Sequence, residues 1–275
     1  MCGLFLVPRV AIIFRSFSVN KNAMTPLILR FDTLPSTNDV ALDHAQCGAT
    51  EGLCIIAREQ TAGRGRQQRA WLSPPGAGLY LSVVLRPRLD ANHWPLIMFA
   101  AALAVHDALL EACQLTADIK WPNDLHSGGR KICGILAETC DTPQGRACAL
   151  GLGVNLLKRD WPPELRASAT SIENETGHAP DAEEFLEALL RALRLRYADL
   201  QVPDGPAVTL ANWSSRSSYA TGRRVRVASG DEIFDGTTRG LEPDGALRVE
   251  LIDGAMQVVR AGDVTALRAI QTRNL

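Results

Sequence analysis

The sequence predicts an α+β fold in which helices back a mixed, largely antiparallel sheet, followed by a small β-barrel. Three observations support this prediction. Strand-like segments follow one another with only short turns between them, which favours antiparallel or mixed pairing. Two longer segments repeat apolar residues at helical spacing. Beyond residue 222 the chain changes to short β-type runs separated by glycine turns.

The first half of the chain supplies most of the predicted sheet. Leu27 to Phe31 has strand composition, and Ser36 to Gln46 predicts a helix because Ser36 and Asp39 have the spacing of a capping box. Further strands are predicted at residues 53–58, 79–85, 117–121, 131–139 and 147–156. Because these strands follow one another closely, we expect most of them to pair antiparallel.

Two helices are predicted to cover this sheet. Trp94 to Leu115 is long and apolar, but it contains His106, Asp107 and Glu111 and repeats its apolar residues at helical spacing, which indicates a buried helix of a soluble domain and not a membrane span. Asp181 to Leu200 begins with the capping pair Asp181 and Glu184. Its predicted buried face comprises Phe185, Leu186, Leu189, Leu190, Leu193 and Tyr197.

The last part of the chain predicts a separate small domain. The runs RRVRVAS, ALRVELI and MQVVR are divided by serine-glycine and aspartate-glycine turn signals. The polar stretch NWSSRSS, residues 212–218, predicts a linker before them. We therefore expect an N-terminal extension at 1–23, a large domain at 24–212, and a linker with a β-barrel at 213–275.

The extension at residues 1–23 is treated separately because it contains no acidic residue. It resembles a targeting segment only loosely, since Pro8 and Arg9 interrupt its apolar run. A domain beginning at Met24 would start on a strand, so an upstream translation start is the favoured interpretation and the extension would not be native. A presequence stays open as the alternative.

Composition excludes several classes of function. With 29 Lys and Arg against 30 Asp and Glu, the chain has no overall charge that would attract nucleic acid or a membrane surface. The seven cysteines are scattered without a C-x-x-C pair, which matches neither a disulfide framework nor a zinc site. They predict reduced thiols and a cytoplasmic protein. No phosphate-loop, nucleophile-elbow or H-E-x-x-H motif is present.

The stretch GRGRQQRAW, Gly63 to Trp71, is the first candidate site. Its glycines allow close backbone approach to a ligand, and its arginines offer planar, permanently charged forks for carboxylate or phosphate. A solvated basic loop and a nucleic-acid patch are the alternatives.

Two further stretches are candidate site segments. Each has a plain structural explanation when taken alone, so each indicates a site only together with the arginine loop. KWPND, Lys120 to Asp124, ends a strand with an ammonium, an amide and a carboxylate near one turn, although a plain Trp-Pro corner has the same sequence. GRKICGILAE, Gly129 to Glu138, places Lys131 at the start of a strand and Gly134 where a side chain would block close approach. A surface lysine with a packing glycine is the alternative there.

Taken in order, these stretches resemble the biotin-protein ligase family. The resemblance comprises STN at Ser36–Asn38, Gln60, GRGRQQRAW, KWPND, RKICGILAE from Arg130, and GLGVNL from Gly151. It implies the class II synthetase or biotin-lipoate ligase fold with an SH3-like C-terminal domain. It also implies the monofunctional form, because too few residues precede Ser36 for a DNA-binding domain, so no repressor function is expected.

The activity that the resemblance implies has two steps. Biotin is activated with ATP to biotinyl-5'-AMP, and biotin is then transferred to a lysine of the biotin carboxyl carrier domain of acetyl-CoA carboxylase or a related carboxylase. Mg²⁺ is expected to share the phosphate charge, the carrier domain is the expected protein partner, and the enzyme is expected to be a monomer or homodimer. The arginine loop is expected to be a mobile lid that keeps water from the intermediate.

The resemblance also implies roles for individual residues. Lys131, Arg66 and Arg64 would be catalytic, through positioning and charge stabilisation. Biotin would be bound by Ser36, Thr37, Asn38, Gln60, Arg64, Gly65, Arg66, Lys131 and Gly134. ATP and the adenylate would be bound by Arg69, Trp71, Asn123, Asp124 and Asn155, with Asp124 as the candidate Mg²⁺ contact and no other metal ligand assigned.

One departure and three alternatives accompany this interpretation. Gln68 stands where the family commonly has glycine, which would make the loop less flexible. A lipoate or octanoate ligase or transferase is the nearest alternative. A non-catalytic biotin-sensing module should lack the lysine and an intact arginine loop, and a nucleic-acid-binding protein is disfavoured by the neutral charge.

Overall fold

An eight-stranded sheet forms the larger part of the protein. The computed structural model describes residues 11–13 and 27–267. The strands are β1 (Ala11–Ile13), β2 (Leu27–Leu34), β3 (Leu53–Gln60), β4 (Gly78–Leu85), β5 (Asp118–Lys120), β6 (Asp124–Ser127), β7 (Arg130–Thr142) and β8 (Gly145–Asn155). Their order in space is β1-β2-β3-β4-β8-β7-β6-β5. Strands β2 and β3 pair in parallel, and the other neighbouring pairs are antiparallel, which confirms the predicted mixed sheet.

Helices cover both faces of this sheet. They are α1 (Thr37–Gln46), α2 (Leu96–Cys113), α3 (Ile172–Thr176), α4 (Ala182–Leu200) and α5 (Gly205–Ser215). Side chains alternate between the two faces along a strand. On β3, Cys54 and Ile56 therefore join the core under α2 and α4, whereas Ile55 and Ala57 join the core under α1.

Helix α2 owes its apolar composition to burial inside the protein. By length and hydropathy it could cross a membrane. In the fold it packs against α4, α5 and β7, and its buried face includes Phe99, Leu103 and Leu109. The interpretation of this segment as a core helix agrees with that packing.

The helix starts follow the capping signals in the sequence. Ser36 accepts a hydrogen bond from the backbone N–H of Asp39 at 3.4 Å and begins α1. The Asp181 carboxylate accepts from the backbone N–H groups of Glu183 and Glu184 at 2.9 and 3.0 Å and begins α4. Each cap satisfies backbone donors that the first helical turn leaves unpaired.

A second, five-stranded antiparallel sheet forms the C-terminal part. Its strands are β9 (Thr221–Ser229), β10 (Glu232–Leu241), β11 (Leu247–Leu251), β12 (Met256–Val259) and β13 (Asp263–Ala266), in the order β12-β11-β10-β9-β13. Gly230, Gly245 and Gly254 have positive φ at the predicted turns. The indole of Trp121 donates to the carbonyl of Gly245 at 3.0 Å, so this sheet docks on the larger one.

The segment predicted to be a linker includes the end of a helix. Helix α5 runs to Ser215, and Trp213 is fully buried with its ring centroid 5.1 Å from that of Phe99. The hydroxyl of Ser217 then donates to the carbonyl of Ile119 at 2.5 Å. The polar composition of the segment does not indicate this packing, because the packing depends on one buried side chain, Trp213. The division at residues 212 and 213 falls inside α5 and stays a prediction, and most of 1–23 lies outside the described residues.

Candidate active site

Every predicted site residue lines one cavity of about 240 Å³. They come from the start of α1, the loop after β3, and strands β6, β7 and β8. The fourteen residues are Ser36, Thr37, Asn38, Gln60, Arg64, Gly65, Arg66, Arg69, Trp71, Asn123, Asp124, Lys131, Gly134 and Asn155. The cavity is near the lower end of the range for small-molecule sites, roughly 300–1,000 Å³, which suits a compact ligand.

One end of the cavity is a network of neutral polar groups. The side-chain oxygen of Gln60 accepts hydrogen bonds from the backbone N–H and the hydroxyl of Thr37 at 2.8 and 3.1 Å. The hydroxyl of Ser82 contacts the Thr37 hydroxyl at 2.8 Å and donates to Asn38 Oδ1 at 2.6 Å. Asn38 donates to Glu138 at 2.8 Å. These bonds fix the orientation of the side chains before a ligand arrives.

Arg64 lies beside this network and has two acidic partners. It donates two hydrogen bonds to Asp39 at 2.7 and 2.5 Å and approaches Glu138 at 3.2 Å. The hydrogen bonds to Asp39 raise the pKa of Arg64 above its ordinary value. Since two carboxylates balance its charge, Arg64 holds α1 and β7 together at the cavity, and its direct role toward substrate stays a prediction.

The remainder of the arginine loop contacts the second sheet. Residues Arg66–Gln68 form a 3-10 turn in which Gln67 and Gln68 have φ of 53° and 58°, in the left-handed region that favours glycine. Arg69 forms an ion pair with Asp263 at the start of β13. Asp263 was not among the predicted site residues, because nothing in the run AGDV marks it.

Arg66 is the loop arginine that lacks a direct carboxylate partner. Its Nη1 donates to Asn123 Oδ1 at 3.3 Å and to the carbonyl of Gly262 at 3.2 Å. Burial lowers the pKa of Arg66, and the more distant Asp263 and Asp124 oppose that effect. A half-buried guanidinium whose hydrogen-bond partners are neutral retains most of its positive potential for an anionic ligand.

Lys131 and Asp124 form the second charged group of the cavity. Lys131 Nζ lies 2.6 Å from Asp124 Oδ1 and 5.3 Å from the ring centroid of Trp71. Burial alone would raise the pKa of Asp124, but Lys131, His126 and Lys120 overcome that effect and lower it to about 2. Asp124 is therefore ionised at neutral pH.

Glycines make room for Trp71 and Asn38. A Cβ on Gly134 would lie 3.1 Å from both Trp71 and Lys131, which agrees with the predicted close approach. A Cβ on Gly153 would lie 2.4 Å from Trp71 Nε1, and one on Gly151 would lie 2.4 Å from Asn38 Oδ1. The GLGVNL motif therefore contributes through its glycines as well as through Asn155.

Asn155 also supports the cavity wall. Its side-chain amide donates to the carbonyl of Thr170 at 2.9 Å and approaches that of Lys131 at 3.5 Å. The predicted contact with the nucleotide stays a prediction.

Several cavity residues lie outside the motifs that the sequence singled out. They are Arg159, Trp161, Leu165, Ser168 and Asp263. Three further residues hold lining side chains in place: Ser82 contacts Thr37 and Asn38, and Asp39 and Glu138 are the partners of Arg64. Glu138 ends the GRKICGILAE stretch and Asp39 follows the STN motif, so their charges offered a signal. Arg159 and Trp161 follow β8 in a segment without a recognisable pattern.

The cavity provides only part of a metal site. Among residues 27–267, no group of three or more His, Cys, Asp or Glu side chains is arranged to bind a metal ion. Mg²⁺ in nucleotide sites commonly uses one or two carboxylates together with substrate phosphates. Asp124 matches that limited requirement, and an ion would have to arrive with the nucleotide.

Comparisons with known proteins agree with this geometry. The family model for the biotin/lipoate A/B protein ligase family matches residues 30–155, and that for the biotin protein ligase C-terminal domain matches residues 221–265. The biotin--[acetyl-CoA-carboxylase] ligase of Paracoccus denitrificans is 38% identical over 237 residues, covering 83% of this chain and 96% of the relative. The bifunctional ligase/repressor BirA of Bacillus subtilis is 32% identical over 248 residues, covering 89% of this chain and 76% of the relative.

Solved structures show the same fold. The biotin protein ligase of Aquifex aeolicus, in complex with biotin and ATP, superposes with a TM-score of 0.76 at 25% identity. The match covers 88% of this chain and 99% of that one. The two family matches cover most of both sheets, and the relatives above are at least 32% identical over most of their length, so the chain belongs to the biotin protein ligase family.

Proposed function

We propose that this protein activates biotin with ATP to biotinyl-5'-AMP and transfers biotin to a lysine of the biotin carboxyl carrier domain of a carboxylase. The observation that carries this proposal is the arrangement of one cavity. A neutral hydrogen-bonding end at Thr37, Asn38 and Gln60 lies next to Arg66 and Lys131. The neutral end suits the ureido ring of biotin, and the cationic groups suit its carboxylate and the α-phosphate of ATP.

The first step joins two anions. A carboxylate oxygen of biotin attacks the α-phosphorus of ATP, a new P–O bond forms, and the bond to pyrophosphate breaks. Like charges repel strongly at contact distance, so the site must supply positive charge before the reaction. Arg66 and Lys131 supply it, and Lys131 stabilises the charge that develops on the α-phosphate as pyrophosphate leaves.

The second step needs a dry site more than another catalytic group. The amine of the carrier lysine attacks the acyl carbon of the mixed anhydride, the C–O bond to AMP breaks, and the amine releases a proton as the amide forms. Trp71 and the loop that carries it cover the cavity and limit the access of water. This agrees with the absence of the common nucleophile motifs from the sequence.

The individual assignments follow the same geometry. We assign Ser36, Thr37, Asn38, Gln60, Gly65 and Gly134 to biotin, Arg64 to support of that end, and Arg66 and Lys131 to both substrates. We assign Arg69, Trp71, Asn123, Asp124 and Asn155 to the nucleotide. Mg²⁺, when bound with ATP, supplies charge neutralisation on the phosphates, and Asp124 would hold it. The carrier domain is the proposed protein partner, and the cytoplasm is the proposed location.

The test is biotin-dependent exchange of labelled pyrophosphate into ATP. Purified protein should exchange pyrophosphate with biotin and ATP present, show background exchange without biotin, and biotinylate a carboxyl carrier domain. Lipoate in place of biotin tests the nearest alternative. Equal exchange with and without biotin, or faster exchange with lipoate, would refute the proposal.

A matched pair of lysine variants tests the role of Lys131. Lys131→Ala should lower the exchange rate at least 10-fold, because removing one preorganised charge commonly costs about 10²–10³ in rate. Lys158→Ala, at an exposed position just beyond β8, is the control and should leave the rate unchanged. Full exchange activity in Lys131→Ala would show that this lysine is not catalytic.

A further inference from the structure

Arg159 lies in the cavity wall with an incomplete set of partners. It follows β8, and its guanidinium carbon lies 3.7 Å from the centroid of the Trp161 ring. Its Nη2 makes one long contact with the carbonyl of Leu72 at 3.5 Å. Its Nη1 is buried and has no hydrogen-bond partner among the described residues.

The other charged side chains of the cavity differ from Arg159. Arg64, Arg69 and Lys131 each form an ion pair with a carboxylate. Arg66 donates to two neutral oxygens. For Arg159 the described part of the chain provides no ion pair, and burial lowers the pKa of its guanidinium.

An unsatisfied charged donor is expensive to bury. Leaving a buried polar group without a partner costs about 1–3 kcal/mol, and a charged group costs more. Stacking on Trp161 offsets part of this cost and keeps the guanidinium plane in one orientation. The remaining donor capacity is available to a ligand.

Two more unpaired donors line the same cavity. The indole Nε1 atoms of Trp71 and Trp161 are buried without hydrogen-bond partners among residues 27–267. Three N–H donors without partners therefore belong to residues that line one cavity, which favours a ligand rich in acceptor oxygens. The two indoles can be satisfied by neutral acceptors, whereas a half-buried guanidinium favours an oxyanion.

The charges of the cavity indicate which oxyanion this is. ATP brings more negative charge than biotin, which has a single carboxylate. Arg64, Arg69 and Lys131 each share their charge with a carboxylate, whereas the described residues give Arg159 no such partner, so its charge is available in full to a further anion. We propose that Arg159, held against Trp161, binds a phosphate oxygen of the nucleotide. This inference rests on the proposed function and assigns a phosphate-binding residue outside the sequence motifs.

The test compares Arg159→Gln with Arg159→Lys and wild-type protein. Pyrophosphate exchange at saturating biotin gives the KM for ATP, and adenosine, which lacks phosphate, is measured as a competitive inhibitor. Calorimetric titration gives the affinity for biotin alone. Arg159→Gln should raise the KM for ATP about 10- to 100-fold, the range for a charge-assisted hydrogen bond. Its affinities for biotin and adenosine should stay within about 2-fold of wild type, and Arg159→Lys should recover part of the loss.

The matched control is Arg166→Gln. Arg166 is an exposed arginine of the same segment and does not line the cavity. Arg166→Gln should leave the KM for ATP, the affinity for adenosine and the affinity for biotin unchanged. Circular dichroism and thermal melting verify that each variant is folded.

The outcomes separate the inference from the proposed function. Absence of biotin-dependent exchange in the wild-type protein would refute the function itself. With an active wild type, loss of biotin affinity in Arg159→Gln would assign Arg159 to the carboxylate and overturn the inference. Equal weakening of ATP and adenosine, or an unchanged KM for ATP, would also overturn it, because either result leaves Arg159 without a phosphate contact.

Discussion

Gly153 shows how a missing side chain shapes the site. Strand β8 passes so close to the indole of Trp71 that a Cβ at this position would lie 2.4 Å from Nε1. Such a contact is far inside van der Waals distance, so Trp71 would have to move. Gly153→Ala should therefore displace Trp71 from the cavity and lower kcat/KM for ATP at least 10-fold.

A double-mutant cycle identifies the cause of that loss. In a Trp71→Ala background the clash is absent, so adding Gly153→Ala should reduce kcat/KM by less than about 2-fold. Steady-state kinetics of the wild type, both single variants and the double variant complete the cycle. Independent, multiplicative losses would show that Gly153 acts on the site by another route.

Asp124 couples the charge of the cavity to acid stability. Its pKa is lowered from 3.8 to about 2 in the folded protein. A lowered folded-state pKa contributes stability that is present above pH 4 and is lost as the pH falls toward 2. A shift of this size corresponds to a contribution on the order of 2 kcal/mol.

The corresponding prediction compares wild type with Asp124→Asn by urea unfolding. At pH 7 the variant should have a lower free energy of unfolding, because Lys131 loses its carboxylate partner. The difference between the two proteins should narrow as the pH falls from about 4 toward 2, where Asp124 becomes protonated in the wild type. A difference that is constant over this range would contradict the proposed linkage.

At the scale of elements, α5 is anchored by buried packing against α2 and α4. Trp213 is fully buried against Phe99, whereas Val208 on the same helix is half exposed. Trp213→Ala should lower the free energy of unfolding by about 3–5 kcal/mol, since it removes a large buried aromatic side chain. Val208→Ala should change it by less than about 1 kcal/mol.

Chemical denaturation of both variants measures this contrast directly. If the two substitutions lower the free energy of unfolding equally, Trp213 does not anchor α5, and the segment is better described as a linker. The local composition explains why the sequence predicted a linker here. Ser214, Ser215, Ser217 and Ser218 dominate the local composition, but a single aromatic side chain outweighs them in buried area.

At the scale of the whole molecule, the C-terminal sheet contributes to the active site. Asp263 of β13 forms an ion pair with Arg69, and the carbonyl of Gly262 accepts a hydrogen bond from Arg66. The side chains of Arg69 and Asp263 are 63% and 33% exposed, so the pair contributes about 0–1 kcal/mol. A free energy of this size changes the fraction of time that the arginine loop is open, but it does not change the fold.

Limited trypsin digestion tests this contact, because trypsin cleaves after Arg66 and Arg69. Asp263→Asn should speed cleavage of the loop about 2- to 5-fold, which is the effect of losing up to 1 kcal/mol. High salt should speed cleavage of the wild type in the same way. As a control, Asp231→Asn, at an exposed position in the turn between β9 and β10, should be cleaved at the wild-type rate. Cleavage at one rate in all three proteins would show that the pair does not restrain the loop.

How far the sequence predicts this protein differs between residues. Ser36 and Asp181 could be assigned as helix caps because capping acts over three residues. Gly134 could be assigned because it lies in a motif beside Lys131. Arg159 and Asp263 could not, since their roles depend on segments that meet only in the folded protein. The short elements β6 and α3 were also absent from the prediction, because four and five residues are too few to establish a helix or strand periodicity.

The sequence by itself determined the fold class, most of the longer strands and helices, the family, and the residues of the cavity that lie in motifs. These properties depend on local periodicity, on turn and cap residues, and on contiguous stretches of chain. Tertiary structure decided which cations are neutralised: Arg64 by Asp39 and Glu138, Arg69 by Asp263, and Lys131 by Asp124. It also decided that Arg159 Nη1 has no hydrogen-bond partner among the described residues. Charge interactions fall off with distance in space and not with separation along the chain, so only the fold could settle them.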